Sequence, residues 1–372
     1  MNVKVVKRRK DFIEAHIIDT KKYDPHFADG EIFCPHYFIP RGVSEVNAGT
    51  EKIGCGGCKW QMMSYERQLE LKQQLVEEAF KKVNNILKAD QKTEIRFLPM
   101  IGSPLTQGYR NKIEFSFGVY KQQTSEYRER EKQQKYCRDN GLPCPNGKAV
   151  NQYLINNNRG CGFHKQGEFS KIVDVDSCGL ISAKANQIFQ TIKKLCLESG
   201  LPVYDQKIHQ GFFRHLVLRE GVHMGQLMVN LSVCLANLND KQTKQREVLL
   251  QQVKEEKSLR ELITTFVITN NAGLADTVKN EKSETSIFRG EGHICELLCS
   301  CTFRISPFSF FQTNTHGAEE LFSTAFKMLG DFEGNILDLY CGTGSIGLSL
   351  LKMANISRKK GKKGDTQYPC LI

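Results

Sequence analysis

Apolar positions recur along this chain at two spacings, and those spacings assign most of its elements. Leu69, Val76, Phe80 and Val83 fall on one face of a helix over residues 65–87, with Ser64 as its N-cap. A second helix over 183–199 is stopped by Gly200 and Pro202. A polar helix over 238–257 and shorter helices over 319–329 and 345–354 follow. Residues 12–18, 96–101, 112–120, 172–175, 212–219, 226–234 and 264–270 carry strand patterns, and 336–340 is an apolar run that reads as a buried strand. Residues 34–58 are rich in Cys, Gly and Pro and read as loop. Residues 121–160 are polar and read as a long insert. There is no internal repeat. The order of elements predicts an α+β centre followed by the start of an α/β unit.

Composition narrows the class. The chain has 372 residues, enough for two or three domains, and 40% are hydrophobic and 25% charged, as in an ordinary globular protein. No apolar run reaches the roughly 18 residues of a membrane span. The first ten residues lack the apolar stretch of a signal peptide, so a cytoplasmic chain is expected, with its fourteen cysteines as reduced thiols or metal ligands. Cys196, Cys234, Cys295, Cys299 and Cys301 sit in apolar company and read as inert core. The net charge of +11, concentrated in residues 4–10 and 358–363, favours a polyanionic partner such as nucleic acid. The alternative for the second run is a solvated tail.

Two constellations carry chemistry. Cys55-Gly56-Gly57-Cys58 puts two thiols in a tight loop, and Cys34 and Cys178 complete a set of four. Four thiolates suit zinc or a [4Fe–4S] cluster, while a lone C-x-x-C also serves redox chemistry or packs as plain thiols. Cys137, Cys144 and Cys161 form a rival set. Near the C-terminus, Asp338-Leu339-Tyr340-Cys341-Gly342-Thr343-Gly344 joins the predicted strand to a helix, and Gly342 and Gly344 allow a ligand to approach the backbone. The loop matches G-x-G-x-x-G, but Asp365 lies in a polar stretch that makes no second buried strand, so a nicotinamide reading is disfavoured. An S-adenosylmethionine loop fits better. A turn with no ligand is the plain alternative.

Taken together these residues resemble the RNA (uracil-5-)-methyltransferases, the bacterial family that makes 5-methyluridine in 23S rRNA or tRNA. The resemblance runs through Cys34-Pro35-His36, Cys55 to Gln61 with Tyr65, Gln68 and Leu69, Tyr109 to Phe117, Gly162-Phe163-His164, Val175 to Cys178, Gly211 to Leu216, Ser306 to Asn314 and Asp338 to Gly344. It implies that Cys34, Cys55, Cys58 and Cys178 hold a structural, RNA-binding [4Fe–4S] cluster. It implies S-adenosyl-L-methionine contacts at Gln312, Asp338, Tyr340, Gly342, Gly344 and Ser345. RNA contacts are expected at Arg110, Lys112, Arg214, Arg219 and Phe310, or Phe311 in its place, with the aromatic ring stacking on an exposed base. Tyr109, Ile113 and Phe115 could instead fill a strand core, and Arg110 could form a salt bridge.

The family's reaction uses a cysteine thiolate that adds to uracil C6, activating C5 to attack the methyl group, and a base that then removes the C5 proton. The target base is flipped out of its stack. No residue here matches that nucleophile or base, and Cys341 belongs to the cofactor loop. The expected organisation is therefore a remnant of an N-terminal TRAM barrel at 1–33, an α+β RNA-binding domain at 34–300 with the cluster loop and the 121–160 insert, and the first part of a Rossmann-like methyltransferase domain with a basic tail at 301–372. That last part is expected to be incomplete, leaving the apolar face of residues 346–351 without partners. The cysteine loop between Cys34 and Cys55 is longer than the family's. The expected activity is S-adenosylmethionine-dependent uracil-C5 methylation, with 23S rRNA favoured over tRNA. A non-catalytic RNA-binding iron–sulfur protein and a zinc-bound nucleic-acid module are the alternatives.

Overall fold

The computed structural model describes residues 2–8, 13–19, 29–37, 54–90, 94–119, 159–165, 168–206, 208–236, 238–330 and 337–361. The chain divides into two units, Met1–Thr106 and Gln107–Ile372. That boundary falls inside the stretch 34–300 that the sequence groups as one domain. Most of the 121–160 insert, with Cys137 and Cys144, lies outside the described residues.

In the first unit, β1 (Asn2–Arg8) and β2 (Ile13–Asp19) pair antiparallel. Only β2 is predicted from sequence, because the valines of β1 alternate with lysines and read as a basic run. Helix α1 spans Tyr65–Ala89, and the Ser64 hydroxyl accepts from Arg67 N at 3.3 Å, a cap worth about 1 kcal/mol. The same hydroxyl donates to Asp29 at 2.8 Å, which ties the helix start to the segment leading into Cys34. The stretch 96–101 is not a strand. It has no regular structure, and its neighbourhood is held by side chains of α1. Ile95 N donates to Asn84 Oδ1 at 2.8 Å, Phe97 meets Phe80 edge-on at 6.3 Å, and Ser103 N donates to the Tyr65 hydroxyl at 2.6 Å.

The second unit is built on a seven-stranded sheet. Its strands are β3 (Lys112–Val119), β4 (Arg159–Lys165), β5 (Glu168–Asp174), β6 (Phe213–Gly221), β7 (Gln226–Val233), β8 (Thr265–Asn270) and β9 (Glu284–Arg289). They lie in the order β5-β4-β3-β6-β7-β8-β9. Every pair is antiparallel except β7 with β8. A parallel pair needs a long crossover, here helices α3 (Asp240–Glu255) and α4 (Lys257–Leu262). Helix α2 (Ala183–Glu198) covers one face of the sheet, where Phe115 stacks on Phe189 with ring centroids 3.9 Å apart. Ile113 and Phe115 are buried in this core.

A smaller layer completes the unit. Strands β10 (Ile294–Leu298) and β11 (Cys301–Ile305) form a hairpin, followed by α5 (Thr315–Leu329) and α6 (Ser345–Gly361). Met228 of β7, Ile294, Leu298, Phe303, Ile305, Phe311 and Phe322 make one apolar cluster, and Leu348 and Met353 of α6 pack against it. Leu350 is buried as well. Helix α6 therefore does have partners for its apolar face, contrary to the sequence expectation; Ile346 and Leu351 stay exposed. A second correction concerns residues 336–340. Leu337, Leu339 and Tyr340 are exposed, residues 339–340 form a turn, and among the described residues no strand pairs with them. An apolar run is buried as a strand only where neighbouring elements pair with it and cover its faces. Among the described residues no helix is long and apolar enough to cross a membrane.

Candidate functional site

The segment Ser306–Thr315 leaves β11, crosses toward β3 and enters α5. Buried polar groups hold it. Asn111, next to the first residue of β3, donates from Nδ2 to Gln312 O and to the Thr315 hydroxyl, both at 2.8 Å. Its backbone N–H donates to Thr313 O at 2.8 Å. The Thr315 hydroxyl donates to Glu296 Oε2 at 2.9 Å. Glu296 is fully buried on β10, and its carboxyl group also accepts from Val222 N at 2.8 Å, His223 N at 3.0 Å and Leu297 N at 3.1 Å. The hairpin backbone comes so close to the turn after β6 that a Cβ on Gly221 would lie 2.1 Å from Cys295 O.

Two arginines expected to touch RNA are spent inside the fold. Arg219 is buried and donates from Nη1 to Ser306 O at 3.2 Å and from Nη2 to Ser309 O. Burial pushes its guanidinium down to about 10, against the opposing pull of Glu114. Arg214 is 2% exposed, lies over the Tyr204 ring at 4.2 Å, and donates to the carbonyls of Asn271, Gly273 and Ala275. It sits in a bulge between Phe213 and His215, which re-aims the side chain. Both arginines shape the loops of the protein itself. Their basic character on strand motifs is legible in sequence; their burial is not.

The other expected RNA contacts are placed differently. Phe310 is 68% exposed, while Phe311 is buried in the apolar cluster. Arg110 bridges to Asn314 through its backbone, and among the described residues its buried Nε has no hydrogen-bond partner. Lys112 is half-buried opposite Arg219. Burial first, then the Arg219 charge, lowers its ammonium, and Glu114 partly restores it.

The glycine loop meets this assembly through α6. Leu348 joins the cluster that holds Phe311, one residue before Gln312. Tyr340, Gly342 and Gly344 have φ of 59°, 57° and 69°, a tight left-handed turn that feeds the helix N-terminus. Among the described residues a Cβ on Gly342 would meet nothing within 4 Å, so the turn is open there. Asp338 Oδ2 accepts from Gly347 N at 3.0 Å. Ser345 is buried, Tyr340 is fully exposed, and among the described residues the buried Thr343 hydroxyl has no hydrogen-bond partner. A buried, unpaired hydroxyl beside an open turn suits a polar ligand.

On the sheet face opposite α2, Asp276 lies 2.9 Å from His164 Nε2 and 3.3 Å from His215 Nε2. Burial raises the Asp276 carboxyl, but hydrogen bonds from His164 and then His215 outweigh it and hold the group well below the usual carboxylate range. Ser116 lies 3.3 Å from His215 Nδ1. The order Ser–His–Asp copies a hydrolytic triad, but Ser116 and His215 are buried, so no substrate carbonyl reaches the hydroxyl.

The cysteines fall in both units. In the first, Cys55 is buried, its Sγ accepts from Gly57 N at 3.3 Å, and Cys34 and Cys58 pack against the small core of Tyr37, Met62 and Met63. Burial pushes the Cys34 thiol up, two backbone N–H groups pull it down, and the Cys58 thiol adds to the rise. Cys178, in the second unit, is buried just before α2, and its N–H donates to Asn186 Oδ1 at 2.8 Å. Of the rival set, Cys161 is fully buried beside Cys196, and burial raises both thiols far above their ordinary range, so they remain neutral core.

An uncharacterized RNA methyltransferase of Caldanaerobacter subterraneus subsp. tengcongensis is 30% identical over 339 residues, covering 91% of this chain and 64% of that protein. One from Clostridium tetani is 31% identical, covering 89% of this chain and 61% of its own length. The chain is similar to these RNA methyltransferases over most of its own length. It spans a little over three fifths of the length of these relatives. The solved structure of Pyrococcus abyssi tRNA (uracil-54, C5)-methyltransferase in complex with S-adenosyl-L-homocysteine superposes with a TM-score of 0.51 at 25% identity, covering 80% of this chain and 57% of that one. No family model matches the chain.

Asn111, Glu296 and Thr315 are the residues that sequence reasoning missed. The available signal was a single acid at an inward position of the alternating run Ile294-Cys295-Glu296-Leu297-Leu298. Replacing Glu296 by Ala leaves three backbone donors and one hydroxyl without their acceptor. Chemical denaturation of the variant is expected to show a loss of about 3 kcal/mol or more. A change under about 1 kcal/mol contradicts the tie.

Proposed function

We propose that this protein takes part in methylation of uracil C5 in RNA, with S-adenosyl-L-methionine as methyl donor. The observation that carries the reading is the likeness to the tRNA (uracil-54, C5)-methyltransferase over 80% of the chain, a likeness joined by relatives named as RNA methyltransferases. The open turn over Gly342, the unpaired Thr343 hydroxyl and the shared core of Phe311 and Leu348 support a cofactor site formed by Gln312, Asp338, Tyr340, Gly342, Gly344 and Ser345. The bound donor supplies the methyl group. In this reading Asp338 fixes the loop on α6, the glycines admit the cofactor, and the N-terminal amides of α6 face it.

Arg110, Lys112 and the exposed Phe310 are the proposed RNA contacts, the two cations toward phosphate and the ring toward an unstacked base. Arg219 and Asn111 position the Phe310 segment from beneath. The nucleophile and the base are assigned to no residue of this chain. The proposed substrate is 23S rRNA. Mass spectrometry of 23S rRNA and tRNA from cells with and without the gene tests the reading. Loss of 5-methyluridine from one site supports it, and the RNA that loses it identifies the substrate. Unchanged 5-methyluridine in both contradicts it.

Cys34, Cys55, Cys58 and Cys178 are the proposed ligands of a [4Fe–4S] cluster. Burial, and then the neighbouring Cys58, raise the Cys34 thiol, which a bound cation would offset, and the N–H to Cys55 Sγ is a stabilising contact for a thiolate. The cluster would fasten the cysteine loop and have no part in the methyl transfer. Protein purified anaerobically is expected to carry about four irons per chain, and serine at Cys55 or Cys58 to abolish them. Stoichiometric zinc without iron contradicts the assignment.

A further inference from the structure

The turn after β6 and the first turns of α5 bring together three side chains with no part in the reading above: His223, His316 and Glu319. His223 Nε2 lies 3.0 Å from Glu319 Oε1, and His316 Nδ1 lies 3.5 Å from Glu319 Oε2. The two imidazole rings stand edge to face with centroids 5.2 Å apart. One ligand atom from each of the three lies within 4.8 Å of the others. We propose that these three side chains bind one divalent transition-metal ion, zinc in the first instance.

The donor set is right for that class of ion. Two imidazole nitrogens and one carboxylate oxygen form a common three-ligand set for zinc and leave a fourth position for water. Ligands about 2.0–2.2 Å from a tetrahedral zinc sit roughly 3.3 Å from one another. Each imidazole already lies near that spacing from one Glu319 oxygen, His223 from Oε1 and His316 from Oε2, and a small closure of the 4.8 Å set completes it. All three side chains are about one-third exposed, so an ion can enter and a water can complete its shell.

Preorganisation is the stronger argument. His223 and His316 come from separate elements, and both elements are held by the same buried carboxyl group. The backbone N–H of His223 donates to Glu296 Oε1 at 3.0 Å, and Thr315, next to His316, donates to Glu296 Oε2 at 2.9 Å. The ligands are thus positioned before any ion arrives, which reduces the ordering cost of binding. A plain reading as two exposed histidine–glutamate ion pairs gives little stability. It also leaves one carboxylate to serve two imidazoles. The N-terminus of α5 opposes any cation, so the site depends on the Glu319 charge.

The test is equilibrium dialysis of the anaerobically purified chain against zinc. It compares wild type, Glu319→Gln and the double variant His223→Asn with His316→Asn. Glu319→Gln keeps the side-chain shape and removes the charge, so a folding defect cannot mimic its effect. Wild type is expected to hold about one more zinc per chain than either variant, or to bind that ion more than about tenfold more tightly. Repeating the dialysis with cobalt separates this ion from any held by cysteines, because thiolate–cobalt complexes absorb strongly and His/Glu complexes do not. The thiolate absorption is expected to be equal in all three proteins. Equal zinc binding in all three overturns the proposal, and so does a lost ion that takes the thiolate absorption with it.

Discussion

The second unit depends on a carboxyl group that no water reaches. Glu296 is fully buried and accepts four hydrogen bonds, three from backbone and one from Thr315. Burying such a group unpaired would cost several kcal/mol, so the surrounding donors are obligatory. They fix the geometry of their own elements in turn. Val222 and His223 hold the β6–β7 turn, and Thr315 holds the start of α5. Asn111 extends the tie to β3 and to Gln312. Arg219 reaches from the end of β6 to the carbonyls of Ser306 and Ser309. A ten-residue segment with little regular structure is thereby held as firmly as a strand. Phe310 can stand in solvent because Phe311 beside it is anchored.

The sheet has two unlike faces, and the difference bears on function. Toward α2 it is apolar, with Phe115, Phe189, Ile188 and Ile192 closely packed. The other face carries Ser116, His215, Ser232, Thr269 and Thr285 in register across five strands. Polar groups in such a row need covers that donate and accept. The loop after β8 provides one: Ser232 donates to Val278 O at 2.8 Å, and Asp276 engages His164 and His215. Loops over a polar face can vary without disturbing the core, which is where recognition residues belong.

The sequence revealed the elements with strong periodicity and hid those that depend on tertiary contacts. Helix α1 begins at Ser64 as its cap predicts, and β3, β6, β7 and β8 match their patterns to within a residue or two. Strands β10 and β11 were missed because five-residue runs with a glutamate and cysteines inside carry a weak alternation. Residues 336–340 misled in the opposite direction: the pattern of a buried strand is there, but among the described residues no neighbour pairs with it. The site was half legible. The glycine turn and the Cys-Gly-Gly-Cys loop announce themselves through local backbone demands. Arg214 and Arg219 looked like RNA contacts because charge is visible in a sequence and burial is not. The roles of Glu296 and Asn111 were not legible because they lie in partners 74 and 204 positions away, although Glu296 stands out as the one acid of its alternating run.

The proposed cofactor site joins the Ser306–Thr315 segment and the Asp338–Ser345 loop on a shared core. Hydrogen exchange with and without S-adenosyl-L-homocysteine tests it most directly, since exchange reports local opening segment by segment. The ligand is expected to slow exchange in both segments together, and in the first turn of α6. Protection confined to one segment, or found in neither, contradicts it.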